Sequence, residues 1–273
     1  LLKAYYGQQL VCGHDGIWDE RIDPACCPYP EHDPRDHNWP YSHLQYAKVI
    51  PDVLGAFVPT VSLNLTYVTP SGRHVVEYGR PIPPNALETP PRVAFKTDKY
   101  RSEPVLHTLM AVDPDVPFRD SPTEGEWILW LVYDIPGNAT ARGRTLVEYN
   151  GPKPIECPPD DRFCLKEHRV TFALWEQPRG PLQLHDEDVF IPASSEEGRA
   201  RRKARDFAER HGLGMQIGVN FLETWHDAGD GSFDSKPWWH VRDDESLLKV
   251  SHLIPHMERP IRREKAASAK EEL

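Results

Sequence analysis

Long apolar runs are missing from this chain. The longest, around Trp127 to Tyr133, is far short of the roughly 20 residues a bilayer-spanning helix needs, so no membrane insertion is expected. Cysteine is scarce. Cys12, Cys26, Cys27, Cys157 and Cys164 are five in 273 residues, an odd and small number that argues against a disulfide scaffold. Cys157 and Cys164 flank a Pro/Asp-rich loop, where they could pair or stay as free thiols in a reducing compartment. Excess positive charge is lacking too: 32 Lys and Arg face 42 Asp and Glu, for a net charge of −10. A free-standing nucleic-acid binder draws its affinity from Lys and Arg neutralising phosphates, so only a local basic patch could serve that purpose here. No G-x-S-x-G elbow, phosphate loop, H-E-x-x-H or dinucleotide fingerprint occurs. Neither an enzyme nor a bound cofactor is expected.

Proline is what the chain has in excess. Its 28 residues are about twice the usual share of roughly 5%. Proline costs about 3 kcal/mol inside a helix, which disfavours a helical bundle and fits short strands joined by stiff loops. With 39% hydrophobic residues and 8 Trp, the chain can still build a core. Val61 to Val68 alternates apolar and polar residues, as a half-buried strand does. His74 to Tyr78 and Arg92 to Phe95 read as short strands. Val105 to Val112, Trp127 to Ile135 and Val170 to Trp175 read as strands buried on both faces, and Ile217 to Trp225 as a last one. The expected fold class is mainly β, an antiparallel sandwich with a few peripheral helices and long arms. One helix is anticipated from a capping box, Ser194 with Glu197, through Ala200, Ala204, Phe207 and Ala208 to stops at Gly212 and Gly214. Three segments follow: an extended arm over 1–47, rich in Pro, Asp, His and Trp; a domain over 48–228; and a C-terminal extension over 229–273. The chain begins at Leu1 rather than Met, as expected of a processed product or a piece of a longer one.

Three clusters could carry chemistry. Asp113-Pro114-Asp115-Val116-Pro117 ends an apolar strand with two carboxylates on a stiff loop; close carboxylates repel, so one tends to hold a proton and donate. His168-Arg169 opens a strand, where His168 could donate to an anion and Arg169 could bridge to a carboxylate loop such as that of Asp113. Arg199, Arg201, Arg202, Lys203 and Arg205 concentrate five charges around the anticipated helix, with a weaker basic set at Arg262 and Arg263. Such runs are usually solvated faces, but on an acidic body they point to contact with a polyanion. A zinc site from Cys12, His14, Cys26, Cys27, His32 and His37 lacks paired C-x₂-C knuckles, so no metal is assigned.

Taken in order, these strings resemble the phosphatidylethanolamine-binding protein family. The resemblance is carried by Val53-Leu54, Phe57 to Leu63, Asp113 to Pro117, Glu126 to Val132, Ile135-Pro136-Gly137 and His168 to Phe172. Phe207-Ala208, Leu213-Gly214, Phe221 and Trp225-His226-Asp227 complete it, over roughly 48–228. The family implies a large antiparallel sheet backed by a smaller one, helices at one edge, and a small pocket for phosphate-bearing head groups that needs no metal. Here Asp113, Asp115, Pro117 and His168 fall on that pocket. Leu129, however, stands where the family carries a His donor, and Lys166 stands where it has Gly. A missing donor leaves ligand oxygens unpaired at about 1–3 kcal/mol, so the pocket reads as vestigial and small-ligand binding is not expected.

Glu245 to Leu248 and Glu258-Arg259-Pro260 resemble the C-terminal extension of the family's mitochondrial large-ribosomal-subunit member. This implies a non-catalytic structural protein of the mitochondrial ribosome, located in the matrix, whose partners are large-subunit rRNA and neighbouring ribosomal proteins. Its RNA contacts would include Arg199, Arg201, Arg202, Lys203, Arg205, Arg262 and Arg263. The alternative is a soluble module that binds phospholipid head groups or phosphate and regulates kinases.

Overall fold

The computed structural model describes residues 40–227, apart from 58, 97–104, 159, 162, 163, 215 and the side chains of 40–42. The readings made for 1–39 and 228–273 fall outside these residues, including the cysteine zinc set and Arg262 and Arg263. All described residues belong to one compact unit, bounded at Leu1–Pro237; a second unit, Trp238–Leu273, lies outside them.

Nine strands form two sheets among the described residues. In chain order they are β1 (Asn64–Thr69), β2 (Gly72–Val75), β3 (Arg80–Pro81), β4 (Arg92–Ala94), β5 (Leu106–Asp113), β6 (Trp127–Pro136), β7 (Arg144–Val147), β8 (His168–Gln177) and β9 (Gln216–Thr224). The small sheet runs β2-β1-β4 and the large one β3-β9-β8-β5-β6-β7. Every pairing is antiparallel except β3 on β9. The mainly β, two-sheet fold is as the sequence implied. Two short strands, β3 and β7, are not among those expected from the sequence.

Antiparallel sheets commonly leave one face wet and alternate accordingly. Here β5 and β8 are buried almost without interruption, because both faces of the large sheet are covered. On one face Leu109, Ala111, Leu129, Val170, Phe172, Leu174 and Leu222 meet Leu63, Leu65 and Tyr67 of the small sheet and its approach. On the other, Met110, Val112, Leu131, Trp175, Val219 and Phe221 meet Leu44, Val53, Leu54, Phe57, Phe207 and Ala208. The helices therefore cover a face of the sheet, not its edge. Each fully buried large apolar side chain contributes roughly 1.5–3 kcal/mol, so this second core holds the helical segments down.

Three helical segments supply that cover: α1 (Pro40–Tyr46), the brief α2 (Val49–Asp52) and α3 (Ala204–Arg210). Two corrections follow. The body of the fold takes in α1, with Leu44, His43 and Ala47 buried, so it begins at least at Pro40 and not at 48. The expected capping box is not made either. Ser194 lies in a turn, and the helix starts ten residues later, after Lys203. Gly198 and Arg201 take left-handed backbone angles, φ 80° and 56°, which no right-handed helix can pass through. Glu126, from the entrance to β6, does the capping instead: its Oε2 accepts from the Ala204 N–H at 2.9 Å.

Cys157 and Cys164 form a disulfide, with Cα atoms 6.0 Å apart. It closes the long loop before β8, and that loop docks on the 118–121 turn. The Leu165 N–H donates to Asp120 Oδ1 at 2.9 Å, and the Arg119 N–H to the Leu165 carbonyl at 3.3 Å.

Candidate functional site

The order β9-β8-β5-β6 brings the end of β5, the start of β8, the end of β9 and the start of β6 to one end of the large sheet. Asp113 closes β5, His168 and Arg169 open β8, and Glu223 and Thr224 close β9, with His168 opposite Thr224 and Arg169 opposite Glu223. The chain folds back between β5 and β6 through Pro114 to Gly125. At Gly125 the backbone passes so close to the Pro114 carbonyl that a Cβ would run into it, so only glycine fits there.

The structure joins Asp113, Asp115, Pro117 and His168, but as a closed network. His168 Nδ1 lies 2.7 Å from Asp113 Oδ2, and its Nε2 lies 3.1 Å from the Pro117 carbonyl. Both ring nitrogens are thus engaged. Asp113 Oδ1 also accepts from the Asp115 N–H at 3.0 Å. Asp115 is paired bidentately with Arg169: Nε donates to Oδ2 at 2.8 Å and Nη2 to Oδ1 at 2.6 Å, while the Arg169 N–H adds a third bond. Each carboxylate has its own basic partner, His168 for Asp113 and Arg169 for Asp115. Arg169 is the bridge the sequence allowed, to Asp115 of that loop. Exposure decides the issue: Asp113, Asp115 and His168 are 1%, 0% and 2% exposed.

Partners the sequence did not signal extend this network. Arg169 Nη1 donates to the Ala47 carbonyl at 2.9 Å and to Asp52 Oδ2 at 2.8 Å, tying α1 and α2 to the sheet. Arg119 Nη2 donates to the same Ala47 carbonyl at 2.9 Å and lies 3.8 Å from Glu223 through Nη1. Only the tertiary fold brings these residues together; no short motif contains them. Burial pushes the Glu223 carboxyl up to about 7, against the pull of Arg119. Burial lowers the His168 imidazole, but Asp113, then Asp115 and the Pro117 carbonyl, outweigh it and hold the ring above its ordinary value. Arg169 is held well above its ordinary value, the Asp115 and Asp52 carboxylates outweighing its burial. Leu129, standing for the expected donor, is buried in the core between the sheets. The Lys166 ammonium lies 5.3 Å from the centre of the Trp225 ring, a cation–π distance. Chemically the arrangement fixes strand ends and loops; its donors and acceptors are spent on one another.

The basic run behaves differently along its length. Arg199 is fully buried, and its five N–H groups donate to the carbonyls of Ser195, Ile128, Leu129, Glu148 and Pro192 at 2.6–3.2 Å. It therefore cannot be an outside contact, which corrects its place among the RNA candidates. Arg201 and Arg202 form a strap along the entrance to β6, their N–H groups donating to the Glu124 and Glu126 carbonyls, while Lys203 precedes α3 and Arg205 lies on it. Arg201, Lys203 and Arg205 are exposed and Arg202 half-buried. Arg201, Arg202, Lys203 and Arg210, together with Asp188 and Asp206, line a cavity of about 170 Å³ whose apolar wall includes Met110, Ile128, Leu131 and Phe207. One further cluster went unread in the sequence: His185, Asp188 and His211 bring their ligating atoms within 4.8 Å of one another. The signal was a His-x-x-Asp turn, too short to stand out alone.

A model of the family described as phosphatidylethanolamine-binding protein matches residues 72–222. Protein FLOWERING LOCUS T of Arabidopsis thaliana is 31% identical over 189 residues, covering 69% of this chain and 93% of that protein. CEN-like protein 1 of Nicotiana tabacum is 37% identical over 182 residues, covering 66% and 90%. Among solved structures, the phosphatidylethanolamine-binding protein from Plasmodium vivax superposes with a TM-score of 0.54 at 18% identity, over 68% of this chain and 96% of that one. The carboxypeptidase Y inhibitor, crystallised with its cognate proteinase, gives 0.53 at 20% identity, over 69% and 95%. With the family's segments matched in order on this two-sheet scaffold, the chain belongs to the phosphatidylethanolamine-binding protein family.

Proposed function

We propose that this protein is a non-catalytic structural component of the mitochondrial large ribosomal subunit, located in the matrix, in which the family's anion pocket serves as an internal brace. The observation that carries the reading is the closure of that pocket. Both nitrogens of His168 and the carboxylates of Asp113 and Asp115 are consumed by internal partners, and all three residues are buried. A head group would have to displace charge-assisted bonds without offering better ones. Support for the ribosomal partner comes from the resemblance of the 245–260 stretch and from the exposed basic residues Arg201, Lys203 and Arg205 on an acidic body. These would meet rRNA phosphates, with neighbouring ribosomal proteins on the remaining surface.

The test is sedimentation of the tagged protein from a mitochondrial lysate, with and without ribonuclease. Co-migration with the large subunit, lost on digestion, is the expected result. Substituting Arg201, Arg202 and Arg205 together by Gln should weaken association and flatten its salt dependence. Migration as a free monomer overturns the reading and favours the head-group alternative. The cavity beside Arg201, Arg202 and Lys203, not the Asp113–His168 network, would then be the place for an anionic ligand.

A further inference from the structure

We propose that His185, Asp188 and His211 form a binding site for a single divalent transition-metal ion, with zinc the ion best matched to the donors. Two imidazoles and one carboxylate are a recognised zinc set, completed by water in the fourth position. The ligating atoms lie within 4.8 Å of one another. Around a tetrahedral zinc with bonds of about 2.0–2.2 Å they would be roughly 3.3 Å apart, so a small contraction completes the site. His185, exposed on a turn, is the ligand able to make it.

A second observation points to a shared centre. His211 Nε2 is buried and has no hydrogen-bond partner among the described residues, although Asp188 Oδ2 is only 2.9 Å away. Proximity without alignment means the ring nitrogen and the carboxylate oxygen do not face each other. The ring nitrogen therefore has no hydrogen bond that a bound ion would have to displace.

The supporting structure is in place. His211 caps the C-terminus of α3, its N–H bonded to the Phe207 carbonyl at 3.1 Å. Its ring packs 4.3 Å from that of Phe207 and 4.7 Å from that of His185. The Asp188 N–H donates to the His185 carbonyl at 2.9 Å, while Asp188 Oδ2 accepts from the His185 N–H at 2.8 Å. The turn is thus fixed from both ends. Asp186 and Glu187 add negative charge beside it. Among the cations nearby, Arg210 lies 3.8 Å from the other oxygen of Asp188 and is paired with Glu187 at 2.6 Å, while Arg201, Arg202 and Lys203 line the adjoining cavity.

The experiment uses the full chain, stripped with a chelator and titrated with Zn²⁺ against a chromophoric competitor, and with Co²⁺ as a spectroscopic probe. One equivalent should bind, and Co²⁺ should show tetrahedral visible absorption without thiolate charge-transfer bands. His185→Ala and Asp188→Asn should each weaken Zn²⁺ by more than about 10-fold, the scale seen even for losing an outer partner of a metal site. Replacing Cys12, Cys26 and Cys27 together by Ser should leave binding unchanged. His185 is exposed, so its variant keeps the metal-free melting point and the comparison stays valid. Absence of stoichiometric binding overturns the site. So does binding that survives His185→Ala, or binding that disappears with the cysteines.

Discussion

Arg199 and Arg169 look alike in a sequence and do opposite work in the fold. Arg169 is an ion-pair hub holding Asp115 and Asp52. Arg199 has no carboxylate within ion-pairing reach among the described residues, and satisfies five carbonyls from three segments instead. Lysine has three donors on one nitrogen and cannot serve that spread. Arg199→Lys should therefore destabilise the protein by about 2 kcal/mol or more, since at least two buried carbonyls lose their partner at about 1–3 kcal/mol each. Urea unfolding measures this; an unchanged midpoint would mean water replaces the guanidinium freely. Asp115→Ala should cost about 3–5 kcal/mol, because it leaves a buried arginine with only the half-exposed carboxylate of Asp52 to balance it. At this scale the sequence was half legible. Asp113-Pro114-Asp115 and His168-Arg169 stood out as strings, and the site does contain them. Arg199 was hidden by its neighbours, because a basic run carries no mark of which member turns inward.

The long central strands are legible because burial on both faces leaves an unbroken apolar run, and β5, β6 and β8 fall within a few residues of where the pattern puts them. The helices are less so, for a physical reason. α1 and α3 have seven residues each, about two turns, too few for periodicity to emerge or for the helix to stand without tertiary contacts. Serine chemistry pointed to Ser194 as the start of α3, yet its real cap is Glu126, which is 78 residues away in sequence. Burial pushes that carboxyl up to about 7, against the Ala204 N–H, Arg205 and Lys203. Gln keeps the acceptor oxygen without the charge. Glu126→Gln should therefore hold α3 in place and remove a pH dependence, while Glu126→Ala should loosen the helix by about 1 kcal/mol. Hydrogen exchange at the α3 amides distinguishes the two. Gly125→Ala tests the neighbouring turn: the clash with Pro114 should destabilise the Asp113–Pro117 loop and lower the melting temperature by several degrees, as a loss of about 1–3 kcal/mol would.

Three buried groups at the scale of the whole molecule lean the same way with pH. Glu126 and Glu223 rise from 4.5 to about 7 on folding, and His168 rises above 6.5. In each case the folded state holds its proton more tightly than the unfolded chain does. The two glutamates begin to weaken the fold as pH climbs through 4.5, and finish near 7. The contribution of His168 is complete below 6.5 and fades as pH passes its folded value. Stability should therefore fall steadily from about pH 5 to above pH 7. Thermal melts across that range check it, and the double variant Glu126→Gln, Glu223→Gln should flatten most of the slope. A profile that rises over the same interval would contradict the burial of these groups.

The position of β9 has a bearing on how the chain comes to be folded. It lies between β3 and β8, and the loop before β1 also leans on it, through the Thr60 and Val61 N–H groups at 2.8 Å from the Ile217 carbonyl. Until residue 224 has emerged during synthesis, β8 has an open edge, and β3 and the loop before β1 lack the strand they bond to. An incomplete chain thus presents bare strand edges of the kind that recruit other chains. Nascent chains stopped before Gln216 should be protease-sensitive and bind chaperones, and resistance should appear within a few residues of the point at which Thr224 clears the exit tunnel.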